Sequence, residues 1–375
     1  MDKDIKKAQQ IAIRDLRACY GTHGIRAGLH HFSDYWARDS FFSCIGALAI
    51  GDKEIAQRTF NTFKKYQLQD GQIPLRFGAQ NFLLKYIGFR TAEKPVFGED
   101  KHGNSVIDSS LLYIIVAGSI YLGGKKDAKK ILKSLELAHQ WARKNSDDDI
   151  LLKEREYSGW MDSVKKRGFT LYTNLLYWKA TITLSELCIN CGEKTKAANY
   201  KSLGLKIFNK INEEFWNGKY FSDWIGDKRY DFCPTGEQFL SIYWNFATNK
   251  QATKMLQHVE NAQDDELCYP VYPAYPNKYC SPFLQLVGMG DYHTKLRWLW
   301  ICCAQAMAHQ KIGNNRIALH IIKDVARLIN KHDAIYEVYN SSNKPIRRLF
   351  YRSEVPFAWS CSFFILAVKQ MSLKE

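Results

Sequence analysis

Residues 108–143 read DSSLLYIIVAGSIYLGGKKDAKKILKSLELAHQWAR. From Leu111 to Tyr121 the stretch is apolar on nearly every side. A helix of that kind is stable in water only when it is buried all round. Over 125–143 the pattern becomes amphipathic and lysine-rich. A helix with one charged face belongs at the periphery. The stretch therefore predicts a buried helix followed at once by a peripheral one.

The same alternation runs through the whole chain. Apolar residues recur at helix spacing, as in Ile5, Ala8, Ile11, Ala12, Leu16 and Ala18. This period predicts helices over 4–20, 37–50, 53–67, 107–122, 126–145, 173–191, 193–215, 236–247, 249–262, 294–312, 314–331 and 356–371. Every second one is apolar on most sides, for example Phe41 to Ile50, Leu175 to Leu187 and Phe357 to Val368. Strand-like alternation is scarce and confined to loops such as 219–232. The connections alternate as well: Gly51-Asp52 inside a pair, then excursions such as 68–106 and 263–293. A solenoid of helix pairs would repeat short loops instead. Six buried and six peripheral helices in alternation predict an all-α fold, an (α/α)6 barrel, as a single domain over 1–375.

Composition removes several classes of function. A hydrophobic fraction of 46% with 24% charged residues excludes a disordered or fibrous chain. Aromatics at 14% are high enough to supply both a thick core and sugar-stacking platforms. The net charge of +15 raises nucleic acid, anionic lipid or an anionic substrate as partners. The lysines are dispersed, however, and Lys125-Lys126 and Lys129-Lys130 are separated by Asp127. With no run of five or six basic residues, neither a nucleic-acid nor a membrane partner is expected. The longest apolar stretches, Phe41 to Ile50 and Leu111 to Leu122, are too short to cross a bilayer. Ten cysteines without a visible secretory signal suggest reduced thiols in the cytoplasm. Cys188-Ile-Asn-Cys191 lacks a second pair at zinc spacing and fits a helix end before Gly192. No metal and no cofactor are expected.

The long loops all precede apolar helices, so in a barrel they gather at one end. Polar and aromatic residues cluster there: Trp36, Arg38 and Asp39, then Asp108, then Tyr157-Ser-Gly-Trp160-Met-Asp162, then Glu237, Tyr292 and His293, and last Glu337 and Glu354. Six helix N-termini would also aim partial positive charge into that funnel. Each residue has a plainer reading. Asp108 fits a helix cap, the tryptophans fit the core, His293 fits a structural histidine, and Arg38 with Asp39 fits a local ion pair. Carboxylates, aromatics and an arginine together suit glycoside chemistry. That reaction needs a protonated carboxyl at the leaving oxygen and an ionised one that activates water or attacks the sugar.

At these residues the chain resembles a known group. Trp36-Ala-Arg38-Asp39 is similar to the W-x-R-D motif in the glucosidase domain of glycogen debranching enzymes. Glucoamylases and alkaline/neutral invertases are related six-hairpin glycosidases. Gly159-Trp160-Met161-Asp162 resembles the T-W-M-D segment, and Asn174 falls where the family has E-I-N-A-L-W. Tyr292-His293 through Trp298-Leu-Trp300 resembles Y-H-x-G-x-x-W-P-W. Tyr336-Glu337-Val-Tyr339 and Ala358-Trp359-Ser360 resemble segments near the family's C-terminus. The matches run in order over nearly the whole chain. There are departures: Tyr172-Thr173 stand where the family has a glutamate, and Leu299 stands between the two tryptophans in place of proline.

The resemblance implies inverting hydrolysis of an α-glucosidic bond at a non-reducing end, releasing a terminal sugar, glucose in the family. It implies Asp162 as general acid and Glu337 as general base, with Glu354 as the rival base by position. Trp36, Arg38, Asp39, Asp108, Trp160, Asn174, Glu237, Tyr292, His293, Glu354 and Trp359 are the expected substrate contacts. An acid beside Trp160 should have a raised pKa. Glu337 should have basic or hydrogen-bonding neighbours that hold its own value down. Three alternatives stay open: a β-fructofuranosidase like the neutral invertases, a hydrolase of a small anionic glucoside, and a non-catalytic carbohydrate-binding barrel.

Overall fold

A computed structural model describes residues 2–79, 93–97, 106–144, 146, 150–263 and 267–372. Parts of the excursions expected at 68–106 and 263–293, and residue 145 at a helix end, lie outside the described residues. Among the described residues the principal helices are α1 (Lys3–Ala18), α2 (Ala37–Ala49), α3 (Lys53–Lys65), α4 (Asp108–Tyr121), α5 (Lys125–Arg143) and α6 (Leu171–Cys191). They continue with α7 (Lys194–Phe215), α8 (Thr235–Tyr243), α9 (Asn249–Ala262), α10 (Leu299–Lys311), α11 (Asn315–His332) and α12 (Ala358–Ser372).

Burial sorts these helices as the sequence does. Every residue of α4 from Asp108 to Gly118 is buried. On α5 only a stripe is buried, with Ala128, Ile131, Leu132, Leu135 and Ala138 at its centre. Fully burying one large aliphatic side chain contributes about 1.5–3 kcal/mol. That term, repeated along a helix apolar all round, drives α4 to the centre. The even-numbered helices touch in the cyclic order α2, α4, α6, α8, α10, α12 and back to α2, so the inner ring is closed. Each odd helix packs outside an inner one: α3 on α2, α5 on α4, α7 on α6, α9 on α8 and α11 on α10 as consecutive hairpins, and α1 on α12 from opposite ends of the sequence. This is the (α/α)6 barrel.

The ring closes tightly between its first and last inner helices. The Gly46 N–H donates to Ser362 Oγ at 2.7 Å, and Ser362 Oγ donates to the Phe42 carbonyl at 2.8 Å. A Cβ on Gly46 would lie 2.5 Å from the Ser362 Cα, so only glycine permits this approach. Short turns join α2, α4, α6, α8 and α10 to the outer helices that follow them. Gly192, in the left-handed conformation at φ +86°, ends α6 and returns its N–H to the Cys188 carbonyl. Cys188 and Cys191 are thus the last turn of a helix, and all ten cysteines are free thiols.

The opposite end holds more strand than expected. Short antiparallel ladders precede several inner helices: Tyr35–Trp36 pairs with Arg76–Phe77 before α2, and Arg297–Trp298 pairs with Val338–Tyr339 before α10. A four-stranded sheet joins Lys153–Glu154, Gly168–Thr170, Trp224–Ile225 and Arg229–Tyr230. These two-residue pairs are too short to show alternation, and they explain why α10 begins at 299 rather than 294. Helix α8 ends at Tyr243 rather than 247, with Asn245 turning the chain at φ +60°.

Candidate active site

The ladders fix the side chains that begin the inner helices. Trp36 leaves its ladder as the first flanking residue of α2, which puts Arg38 and Asp39 in the first helical turn. Arg76 donates to Asp34 at 2.6 Å, and its guanidinium lies 5.5 Å from the centre of the Trp36 ring. Trp298 plays the same part for α10, and its strand partner Val338 directly follows Glu337. Residues far apart in sequence are thereby brought to one wall.

Between these elements lies a pocket of about 200 Å³. It is smaller than the roughly 300–1,000 Å³ usual for drug-sized ligands. Trp36, Arg38, Asp39, Trp160, Asp162, Tyr292, His293, Glu337 and Trp359 all line it. Asp162 and Glu337 therefore face the same space. Phe32, Leu75, Val106, Tyr157, Ser158, Trp298 and Phe357 complete the wall.

Trp160, Trp298 and Trp359 form the apolar floor, and Trp300 packs behind them. Trp160 meets Trp300, Trp298 and Trp359 edge-on at ring distances of 5.0, 5.8 and 6.1 Å. Trp300 stacks on Trp359 at 4.4 Å. His293 stacks on Trp298 at 5.1 Å, and Ser163 Oγ is 2.7 Å from its Nδ1. Burial, with Arg38 and Lys166 nearby, pulls His293 well below its ordinary value and keeps the ring neutral.

The charges are arranged around Asp162. Its carboxyl is open to the pocket, while the surrounding protein pushes its pKa up to about 6; Arg38 opposes the shift and Asp108 adds to it. Asp39 rises to about 7 for the same first reason, again opposed by Arg38. Arg38 donates through Nε to Asp108 at 2.6 Å. Burial opposes its charge, but Asp108, Tyr172 and Asp162 together hold it firmly protonated. Underneath, Lys166 donates to Asp223 at 2.7 Å and braces the segment that carries Asp162.

Glu337 sits among donors. Tyr292 and Tyr351 each give a hydroxyl hydrogen bond to its carboxylate, and the Glu354 N–H reaches Oε2 at 3.4 Å. The expectation of a depressed pKa is corrected in its outcome, though not in its cause. Burial raises Glu337 more than the two tyrosines lower it, and the value reaches about 8.

Four of the expected contacts are not on the pocket wall. Asp108 is fully buried behind Arg38, also accepting from Tyr172 at 3.1 Å. Asn174 clamps the chain at 152, accepting from the Leu152 N–H at 2.8 Å and donating to the Leu152 carbonyl at 3.0 Å. Glu237 accepts from the Trp160 indole N–H at 2.6 Å, and burial raises it to about 7. Glu354 takes four backbone N–H groups, from Leu29, His30, His31 and Phe32, at 2.6 to 3.2 Å. Its oxygens are thus spent on the loop that presents Phe32. Tyr351 was missed, because its only signal is a position three residues before Glu354. Tyr157 was quoted for its neighbours alone; its backbone is left-handed at φ +61° on the pocket wall.

Among the described residues no cluster of three or more His, Cys, Asp or Glu side chains could hold a metal, and no helix is long and apolar enough to cross a membrane.

Comparisons with known proteins place this geometry in context. Residues 9–93, which include Trp36, Arg38 and Asp39, match the family model described as amylo-alpha-1,6-glucosidase. A wild-type glycosidase superposes with a TM-score of 0.72 at 12% identity, covering 100% of this chain and 99% of the other. A glycosidase variant in complex with glucose gives 0.73 at 12% identity, with the same coverage. The GH63 mannosylglycerate hydrolase from Thermus thermophilus, in complex with Tris, gives 0.71 at 12% identity over 96% of this chain and 99% of its own. No curated protein matches by sequence. At such identities the solved structures establish the shared barrel. The family model matches the part of that barrel that carries Trp36, Arg38 and Asp39, and its description is that of a glucosidase.

Proposed function

We propose that the protein is an inverting, exo-acting glycoside hydrolase that releases one terminal sugar, glucose, from an α-glucoside or oligosaccharide, and that residues 1–375 act as one catalytic domain. The observation that carries the reading is the placing of Asp162 and Glu337 on one small pocket floored by indoles. A space of about 200 Å³ suits a single sugar ring better than a polymer chain. That favours attack at an end.

In this mechanism Asp162, its pKa raised by the protein around the pocket, gives a proton to the glycosidic oxygen as the bond breaks. Glu337 takes a proton from a water molecule on the opposite face of the sugar, and that water attacks the anomeric carbon. Tyr292 and Tyr351 hold the Glu337 oxygens in place and stabilise its ionised form. Arg38 and Asp39 bind hydroxyls of the terminal sugar, Trp36 supplies flat apolar surface to its ring, and Trp359, stacked between Phe42 and Trp300, lends the pocket an apolar edge. The ten free thiols are the support for placing the enzyme in the cytoplasm.

A second reading is a small anionic glycoside as substrate. The +15 net charge favours it, as does the likeness to a mannosylglycerate hydrolase. A screen of released sugars over α-glucosides, maltodextrins, sucrose and small anionic glycosides separates the readings. Release of no sugar from any of them, by a folded protein, would leave the non-catalytic barrel as the account.

A further inference from the structure

A second cavity adjoins the first along the segment that carries Asp162. Tyr157, Ser158 and Asp162 face the sugar pocket, whereas Glu156 and Lys165 line the second cavity. Its volume is about 660 Å³, more than three times that of the pocket at about 200 Å³. All four strands of the sheet that begins at Lys153 contribute to its lining, and Lys278 and Tyr279 close it.

The lining combines rings with cations. Trp224 stacks on Tyr230 at 4.2 Å, and Tyr279 meets both edge-on at 5.5 and 5.9 Å. Ammonium groups of the lining lie over its rings, Lys278 over Tyr279 at 5.0 Å and Lys153 over Phe169 at 5.4 Å, and Lys228, outside the lining, lies over Tyr230 at 5.5 Å. Four basic residues, with Arg167 exposed among them, line the groove against two acidic ones. Both acids are engaged: Glu156 pairs with Lys165 at 3.4 Å, and Asp227 accepts from the Tyr230 hydroxyl at 2.6 Å.

This arrangement selects for one ligand chemistry. A neutral sugar stacking on these rings displaces ammonium groups and offers them nothing in return. A bare anion pairs with the cations but leaves the rings uncovered. A saccharide that carries an acidic group satisfies both, because its ring face covers an aromatic while its anion takes up the displaced cation. The net charge of +15 adds long-range attraction.

We propose that this groove is a second carbohydrate site that binds an acidic saccharide, beside and distinct from the terminal-sugar pocket. The proposal rests on reading the chain as a carbohydrate-active protein.

Isothermal titration of the full chain tests it, with trigalacturonate, 6-phosphomaltotriose, neutral maltotriose and inorganic phosphate as probes. At least one acidic trisaccharide should bind ten-fold or more tightly than maltotriose, and the stronger of the two identifies the anion as carboxylate or phosphate. Arg167→Ala with Lys278→Ala, both exposed side chains, should lose that binding ten-fold or more. The double variant should keep its melting temperature and its release of sugar from a neutral substrate. Asp162→Asn should keep the acidic-saccharide binding. Equal binding of maltotriose, or of phosphate alone, overturns the proposal, as does binding that the double variant leaves intact or no binding of either acidic probe. Acidic-saccharide binding by an unmutated protein that releases no sugar from any substrate would instead count against the hydrolase reading and leave the groove in place.

Discussion

Removing the Tyr351 hydroxyl tests how the two carboxyls share their protons. The protein around the pocket raises Asp162 to about 6, and burial raises Glu337 to about 8. Two groups facing one pocket lose their protons in two steps that belong to the pair. Hydrolysis needs the proton on Asp162 and none on Glu337. That form is one of two singly protonated arrangements, so the rate should follow a bell with limbs near those two values. Because Glu337 holds its proton more firmly, the working arrangement is the rarer of the two. Tyr351→Phe deletes a donor that stabilises ionised Glu337. A hydrogen bond to a charged group is worth about 1.5–3 kcal/mol, which is roughly one to two pKa units at about 1.36 kcal/mol each. The sign is upward, since the lost donor favoured the charged form. The alkaline limb of kcat/KM should therefore move up by about one to two units, the acid limb should stay, and the plateau should fall about 10- to 100-fold. The assay is sugar release across pH 4 to 10. A lower plateau with unmoved limbs would reduce Tyr351 to a packing role. A rising acid limb would reverse the order of the two groups. An unchanged profile would remove Glu337 as the base.

Four further outcomes are expected. Asp162→Asn should cost most on substrates with poor leaving groups and much less on an activated aryl glycoside; equal losses on both, measured as kcat, would show that Asp162 is not the acid. Asp39→Asn keeps shape but above about pH 7 removes a charged acceptor, so kcat/KM there should fall by a factor corresponding to about 1.5–3 kcal/mol; cutting of polymer interiors as fast as ends would refute the closed pocket behind that estimate. Glu354→Gln puts an amide against four N–H donors that now meet a carboxylate, and urea unfolding should show a loss of about 3 kcal/mol; a loss well under 1 kcal/mol would mean that the loop holds itself. Proton NMR of the first product should show an inverted anomer, and a crystal structure should place the two carboxyls roughly 6.5–9.5 Å apart, whereas about 5 Å would imply retention.

The barrel was legible because its defining property is one-dimensional. A helix such as α4 must be apolar on every side to sit in the inner ring, and a helix such as α5 must not be, so position in the fold is written into each helix separately. The alternation then orders the ring without any pairwise information. The short ladders were not legible for the converse reason. Tyr35–Trp36 and Arg297–Trp298 are two residues long, and their partners lie some 40 residues away. No local period marks them.

The site divides along the same line. Arg38, Asp39, Asp162 and Glu337 were reachable from the sequence because each stands at the mouth of a recognisable inner helix or inside a motif. What each carboxylate does depends on its donors, and those come from elsewhere in the chain. Glu337 and Glu354 both lie in the loop before α12, both are buried, and the Glu337 N–H even bonds the Glu354 carbonyl at 2.9 Å. Position alone leaves them rivals. The difference is that Glu354 meets four backbone N–H groups from a loop more than 320 residues earlier, whereas Glu337 meets two tyrosine hydroxyls and lines the pocket. A carboxylate saturated by backbone donors has no oxygen left for a water molecule. One held by two hydroxyls still has lone pairs to offer, and the distinction between anchor and base is made by those partners rather than by the glutamates themselves.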